Sequence, residues 1–231
     1  MEGAINQLFY SHEIRGNIVF FDLFETGHIA KVLRKKNGDL IWVTNGEGGL
    51  FKVKISISGS KEITGEILDA QYFPLPEKKL HLFIAPPKSS DRFEWFLEKA
   101  TELGAYRIVP FFSLHSVRKK LKTERYEKIL VSAMKQSLRL FKPKLVSPVD
   151  LKDIPIHIEG KAFIALCDAD STYLSEYIKS REASIVIGPE GGFSLEEFEF
   201  FKKHGFKPVQ LAQQRLRTET AGITAVCKFF N

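Results

Sequence analysis

Residues 184–197 read Ser-Ile-Val-Ile-Gly-Pro-Glu-Gly-Gly-Phe-Ser-Leu-Glu-Glu, and the reading of this stretch decides the fold. Ile185, Val186 and Ile187 form a β-branched apolar run of the kind buried strands use. Gly188-Pro189-Glu190-Gly191-Gly192 then makes a turn. Ser194 with Glu197 has the spacing of a capping box, so a helix starts there. In open α/β sheets, such strand-to-helix turns hold ligands at the carboxyl ends of the strands. The P-loop pattern requires a lysine on the phosphates, and the dinucleotide fingerprint requires G-x-G-x-x-G. The turn has neither, and Glu190 would repel a phosphate. A ligand that is cationic, or neutral with hydrogen-bonding edges, suits it better. The alternative is a structural turn in which Glu190 only caps backbone amides.

The same grammar repeats on both sides. Leu211 to Gly222 runs from a strand at Pro208–Ala212 into a last helix from about Thr218. Thr218 suits the cap of that helix, and Glu219 suits its positive end. Upstream, Leu80–Ala85, Arg107–Phe112 and Lys161–Cys167 read as strands. Asp91–Leu103 reads as a helix with Phe93, Phe96, Leu97, Ala100 and Leu103 on one face and Gly104 as its left-handed cap. Thr123 opens another helix, with Tyr126, Ile129, Leu130, Ala133, Met134 and Leu138 on its buried side, and Ser171 opens a short one. Repeated βα units imply a mostly parallel sheet covered on both faces.

The first third reads differently. Gly16–Phe21, Leu40–Val43 and the alternating Phe51–Ile57 are strands. Turns at Lys36–Asp39, Asn45–Gly49 and Ser58–Ser60 separate them, which suggests a small β-barrel. Tyr72-Phe73-Pro74-Leu75-Pro76 reads as an extended linker. The expected division is therefore 1–75 and 76–231.

The formal net charge is +6, and it is unevenly placed. Arg118 to Lys144 holds 10 basic and 2 acidic residues, which is more than the whole excess. A dense basic block in a near-neutral chain suggests a polyanion footprint, against the alternative of a solvated helix face. Arg118, Lys119, Lys120, Lys122, Arg125 and Lys128 are the phosphate-contact candidates. No apolar run approaches the roughly 18 residues of a membrane span. The acidic start Met1–Asn6 is unlike a secretory signal, so a cytoplasmic location is expected. Cys167 and Cys227 form no metal-spacing motif, so neither a metal site nor a disulfide is expected; both read as buried small hydrophobes.

GPEGGFS at 188–194, followed by LRTETA at 216–221, resembles the uridine-N3 ribosomal RNA methyltransferases of the SPOUT class. Lys99-Ala100-Thr101-Glu102-Leu103-Gly104, Ser116-Val117, and Gln136-Ser137-Leu138-Arg139 with Pro143 resemble its middle motifs, in order. His28–Arg34, Gly38-Asp39 and Gly46–Gly49 resemble its N-terminal part. Three positions depart from the family pattern: Ala212 replaces a glycine, Gln214-Arg215 replaces arginine and an aliphatic residue, and Gln7 replaces an arginine. The resemblance implies an N-terminal PUA-like RNA-binding small β-barrel and a C-terminal α/β parallel-sheet domain with a deep trefoil knot. No sequence pattern would suggest a knot, because knots are nearly absent among folds. It also implies a homodimer that acts on 16S rRNA or the assembled small ribosomal subunit. The implied cofactor is S-adenosylmethionine, held by Leu166, Gly188, Pro189, Glu190, Gly191, Gly192, Leu211, Leu216, Arg217, Thr218 and Thr220. Arg15, Arg34 and Lys35, with Lys36, are the expected RNA contacts of the barrel.

The implied reaction places a methyl group on N3 of a specific uridine. N3 carries a proton at neutral pH, so the uracil anion must be formed and its charge on O2 and O4 stabilised. Arginine cannot readily take the proton but can stabilise the anion. Arg217 and Arg139 are the candidates; the alternatives are that Arg217 pairs with Glu219 or a phosphate and that Arg139 extends the basic face. Glu219 at a helix start is expected to be ionised and structural. Two other functions stay open: a non-catalytic RNA-binding ribosome-assembly protein, and a knotted methyltransferase acting on another atom such as a ribose 2′-hydroxyl.

Overall fold

A computed structural model of the chain describes residues 5–58, 62–116, 120–167, 172–174 and 180–230. The chain forms two compact units. One is Met1–Leu75 with Val131–Lys142; the other is Pro76–Leu130 with Pro143–Asn231.

In the first unit, six strands form one sheet: β1 Phe9–Tyr10, β2 Glu13–Arg15, β3 Ile18–Phe20, β4 Leu40–Thr44, β5 Gly49–Ile57 and β6 Ile63–Tyr72, ordered β1-β4-β5-β6-β3-β2. β1 runs parallel to β4, and the other pairs are antiparallel. The alternation in β5 has the predicted consequence: Phe51, Val53 and Ile55 are buried in the core, while Lys54 and Ser56 face solvent. A register shift between Lys52 and Val53 helps the sheet curl. Gly65 lets β6 approach, since a Cβ there would stand 2.2 Å from Val53 Cγ1. The expected small barrel is an open, curled half-barrel: β1 and β2 are its edges and do not pair with each other. Asp22 accepts a bond from Glu25 N at 2.7 Å and so caps α1, Leu23–Gly27. α1 runs on into a π-turn, His28–Val32, where Leu33 N donates to His28 O. The turn proposed at Ser58–Ser60 lies partly outside the described residues.

Among the described residues of the second unit every strand pairing is parallel. The strands are β7 Lys79–Ile84, β8 Arg107–Phe112, β9 Lys144–Leu145, β10 Val149–Asp150, β11 Lys161–Leu166, β12 Thr172–Tyr173, β13 Glu182–Ile187 and β14 Lys207–Gln210. Their order is β10-β8-β7-β13-β11-β14-β12, with β9 beside β8. Period-two alternation sorts their side chains into two cores. Leu80, Leu82, Ile84, Ile108, Phe163, Ile185 and Ile187 join one, and Phe83, Val109, Phe111, Ile164 and Val186 join the other. The first core is closed by α2 Ser90–Leu103, through Phe93 and Phe96, and by α5 Thr218–Phe230, through Ala225, Val226 and Phe229. The second is closed by α4 Leu195–Lys203, through Phe201, and by the 3-10 segment Leu151–His157, through Ile154. The sheet is thus covered on both faces, as the βα repetition requires.

Gly104 ends α2 in the left-handed conformation at φ 96°. α3, Thr123–Gln136, buries Tyr126, Leu130, Ala133 and Met134 as expected. Leu138 does not follow: it is 40% exposed. α3 ends at Gln136, and Leu138 adopts φ 55°, which turns the chain away from the helical stripe. The helix expected from Ser171 lies outside the described residues, apart from Thr172–Leu174. The cysteines also differ from expectation: Cys167 is exposed and Cys227 only half-buried. β11 stops at Leu166, so Cys167 lies beyond the last buried strand position.

Candidate functional site

β11, β13 and β14 end side by side, and a cavity of about 600 Å³ opens at their carboxyl ends. Its walls come from the strand ends and the residues that follow them: Leu166 and Cys167 at the end of β11, Gly188 to Glu190 and Gly192 to Leu195 after β13, and Leu211, Ala212, Gln214 to Leu216 and Thr218 after β14. Leu166, Gly188, Pro189, Glu190, Gly192, Leu211, Leu216 and Thr218, all named from sequence, line it. Gly191, Arg217 and Thr220 are not lining residues. Gly191 instead faces His115, whose Cβ would stand 3.1 Å from an added Cβ. The Thr220 carbonyl accepts the Thr224 hydroxyl at 2.8 Å within α5.

The two motifs are tied directly. The Thr218 hydroxyl donates to Gly188 O at 3.0 Å, so this side chain stitches α5 to the glycine turn. Arg215 Nη2 donates to Glu190 O at 2.6 Å. Glu190 has a structural partner: its Oε1 accepts from Lys88 N at 3.2 Å, in the loop before α2. The carboxylate thus caps a backbone amide while also lining the cavity. Ser194 and Glu197 form the expected capping box, and Glu197 Oε1 also accepts from Leu114 N at 2.9 Å. His115 Nδ1 lies 3.2 Å from Gly192 O, so the turn after β8 leans on the glycine turn.

Glu219 is 5% exposed and pairs with Arg92 Nε at 3.6 Å, not with Arg217. Its Oε2 is buried and has no hydrogen-bond partner among the described residues. Arg217 is exposed. Arg139 belongs to the first unit, and its burial lowers the guanidinium below its usual range.

The basic block is not one surface. Lys120, Lys122 and Lys128 are exposed. Arg125 pairs with Glu94 at 2.7 Å. Lys135, counted with the block, is buried and holds Glu25 Oε2 at 2.5 Å. Arg118 and Lys119 lie outside the described residues. In the first unit Arg15 is exposed and paired with Glu13, Arg34 is exposed at φ 51°, and Lys35 is half-buried.

Sequence reasoning missed several walls of the cavity, including Phe193, Leu195, Phe198, Cys167 and Arg215. Phe193 and Leu195 flank the capping serine, and their apolar side chains beside a glycine turn were the available signal. Cys167 and Phe198 gave none.

The sequence pattern of the RNA methyltransferase domain family matches residues 74–229, and that of the RNA methyltransferase PUA domain matches residues 25–68. The ribosomal RNA small subunit methyltransferase E of Aquifex aeolicus is 31% identical over 228 residues, which are 97% of this chain and 99% of that protein. The crystal structure of a probable rRNA-methyltransferase from Porphyromonas gingivalis is 34% identical, covers 96% of this chain and 95% of its own, and superposes with a TM-score of 0.87. A Legionella pneumophila protein solved with bound S-adenosylmethionine is 28% identical, covers 98% and 97%, and has a TM-score of 0.86.

Proposed function

This chain belongs to the RNA methyltransferase family that contains the ribosomal RNA small subunit methyltransferases E; on that premise, we propose that it methylates N3 of a specific uridine in 16S rRNA, with S-adenosylmethionine as methyl donor. The observation that carries the reading is the junction of Gly188 and Thr218, which closes a cavity at the ends of three parallel strands. The residues present suit the cofactor. Leu166, Phe193, Phe198, Leu211 and Leu216 offer apolar walls for a purine, and the turn's backbone offers hydrogen-bonding edges. Among the described residues of the lining, Glu190 is the only carboxylate and there is no lysine, which favours a sulfonium and ammonium over a phosphate.

When bound, S-adenosylmethionine supplies an electrophilic methyl group. The chain's part is placement and charge. Thr218, Lys88 N and Arg215 fix the turn, so the cavity is shaped before substrate arrives, and proximity carries much of the rate. N3 of the uracil gains the methyl and loses its proton to a base, and the negative charge spread over O2 and O4 needs a cation. Arg217, next in sequence to the cavity residues Leu216 and Thr218, suits that task, with Arg139 the second candidate. Arg217→Ala should slow single-turnover transfer to N3 while leaving cofactor affinity unchanged; an unchanged transfer rate would remove Arg217 from the chemistry.

The same reading includes a trefoil knot, a homodimer and cytoplasmic action. After β14 the chain runs past the glycine turn, and α5 returns to α2, β7 and β13, which supports threading. Leu195, on the cavity wall, is 76% exposed, and Leu114 is 74% exposed; cover by a second copy accounts for both. No described helix is long and apolar enough to cross a membrane.

Nucleoside mass spectrometry of unmethylated small subunits, incubated with this protein and S-adenosylmethionine, tests the proposal. New 3-methyluridine is expected. A ribose-methylated nucleoside would select the 2′-hydroxyl chemistry. No product from folded, cofactor-bound protein would select a binding role.

A further inference from the structure

The first unit contains a second cavity, of about 350 Å³, which shares no lining residue with the one at the strand ends. Asn6, Gln7, Phe24, His28, Ser132 and Gln136 line it, together with Lys135. We infer that it seats one unstacked base of the RNA strand, an inference that rests on the RNA-methyltransferase reading above.

The chemistry of the lining selects a base over a phosphate. Among the described residues of the lining, Lys135 is the one lysine or arginine, and its ammonium is already held by Glu25 Oε2 at 2.5 Å. Glu25 Oε1 in turn accepts from Tyr10 N at 3.1 Å. The ammonium is therefore neutralised inside the fold. What remains is a set of neutral hydrogen-bonding groups. Three carboxamides, Asn6, Gln7 and Gln136, each carry a donor and an acceptor side by side, as the edges of bases do. Ser132 adds a hydroxyl. His28 Nδ1 is buried with no hydrogen-bond partner among the described residues, and such a group calls for a ligand or water. His28 also starts the π-turn, a backbone form often found at functional sites. Phe24, from the lining, is 60% exposed; Lys135 Nζ lies over its ring at 6.0 Å from the centroid, and the exposed part of the ring is where a base would stack. An aromatic face beside amide edges is how single-stranded RNA bases are held.

Phe24→Ala and Gln136→Ala test the seat, since both side chains are exposed and their loss leaves the core intact. The probes are a labelled single-stranded RNA and an abasic strand of the same length, titrated over a range of salt. Each variant should bind the RNA about tenfold more weakly. The salt dependence should keep its slope, because no phosphate contact is lost. Affinity for the abasic strand should stay at the wild-type value. Unchanged RNA affinity would overturn the inference, as would a shallower salt slope, which would mark a phosphate seat. Methyl transfer by the wild-type protein is measured alongside. If it methylates small subunits while the variants bind RNA normally, only the base seat fails. If it neither methylates nor binds RNA, both readings fail.

Discussion

Replacing Thr218 with valine isolates the bond that joins the two motifs. Valine keeps the size and the β-branch of threonine, so helix propensity and packing change little. Thr218 is 4% exposed, and its hydroxyl donates to Gly188 O at 3.0 Å. Losing a buried hydrogen bond costs about 0.5–1.5 kcal/mol net, and leaving the carbonyl unpaired raises this to about 1–3 kcal/mol. Gly188 is half-buried, so with water repairing part of the loss about 1–2 kcal/mol is expected. That free energy should emerge in ligand binding. If the turn opens in the variant, the closed form is only fractionally populated, and the apparent dissociation constant rises by the inverse of that fraction. About 1–2 kcal/mol corresponds to roughly 5–30-fold weaker S-adenosylmethionine binding. Isothermal titration calorimetry reads the affinity, and the urea midpoint reads stability. Thr220→Val is the control, since Thr220 does not line the cavity. If Thr218→Val lowers stability by the expected amount while affinity stays within about twofold, the bond serves the fold alone and the reasoning is refuted.

Gly191→Val should clash with His115, 3.1 Å from the added Cβ, and displace the glycine turn; calorimetry should show cofactor affinity reduced more than tenfold while RNA binding survives, and equal loss of both would count against separate sites. Lys135→Met leaves Glu25 buried without its cation and should cost about 3–5 kcal/mol in urea unfolding; the double variant Glu25→Gln, Lys135→Met should recover part of that, and no recovery would show that the pair is not the cause. His81 is fully buried beside Glu182, and desolvation lowers its pKa below the ordinary 6.5 despite that bond, with Arg107 also lowering it and Glu159 raising it. In the unfolded chain this imidazole protonates as pH falls through 6.5, whereas in the folded chain it resists until a lower pH. Its contribution is therefore complete above pH 6.5 and is lost as pH drops from there towards the lowered folded value, by at most about 1.4 kcal/mol per pH unit. His81→Gln should flatten that part of the stability profile, and an identical slope in both proteins would rule the imidazole out.

The local grammar of the chain was legible because local chemistry sets it. Ser194 and Glu197 cap α4, Gly104 ends α2, and the alternation of β5 sorts its side chains, each from residues a few positions apart. The glycine turn and its place at a strand end followed from the same rules. What stayed hidden depends on residues far apart in the chain. Lys135 looked like part of an RNA-facing block, but its partner Glu25 lies 110 residues away, and no periodicity reports that bond. Leu138 fitted the helical stripe, yet α3 stops two residues before it. Glu190 was read as a choice between ligand contact and amide cap; the amide it caps, Lys88 N, belongs to another βα loop, and the same carboxylate also lines the cavity. The open edge of the first sheet could not be read either, because strand order is decided by pairing and not by strand composition.

The excursion of Val131–Lys142 into the first unit has a consequence for synthesis. The sheet strands of that unit are complete by Tyr72, but the segment that supplies Lys135 to Glu25, Leu140 O to Gly48 N and Phe141 to pair with Glu47 emerges from the ribosome much later. Until then the nascent N-terminal half carries a carboxylate without its cation, and Gly48 N and Gly46 O lack their partners Leu140 O and Lys142 N. A fragment ending near residue 75 would stay in that state, so isolating the N-terminal unit calls for grafting the 131–142 segment back onto it, not for a single cut.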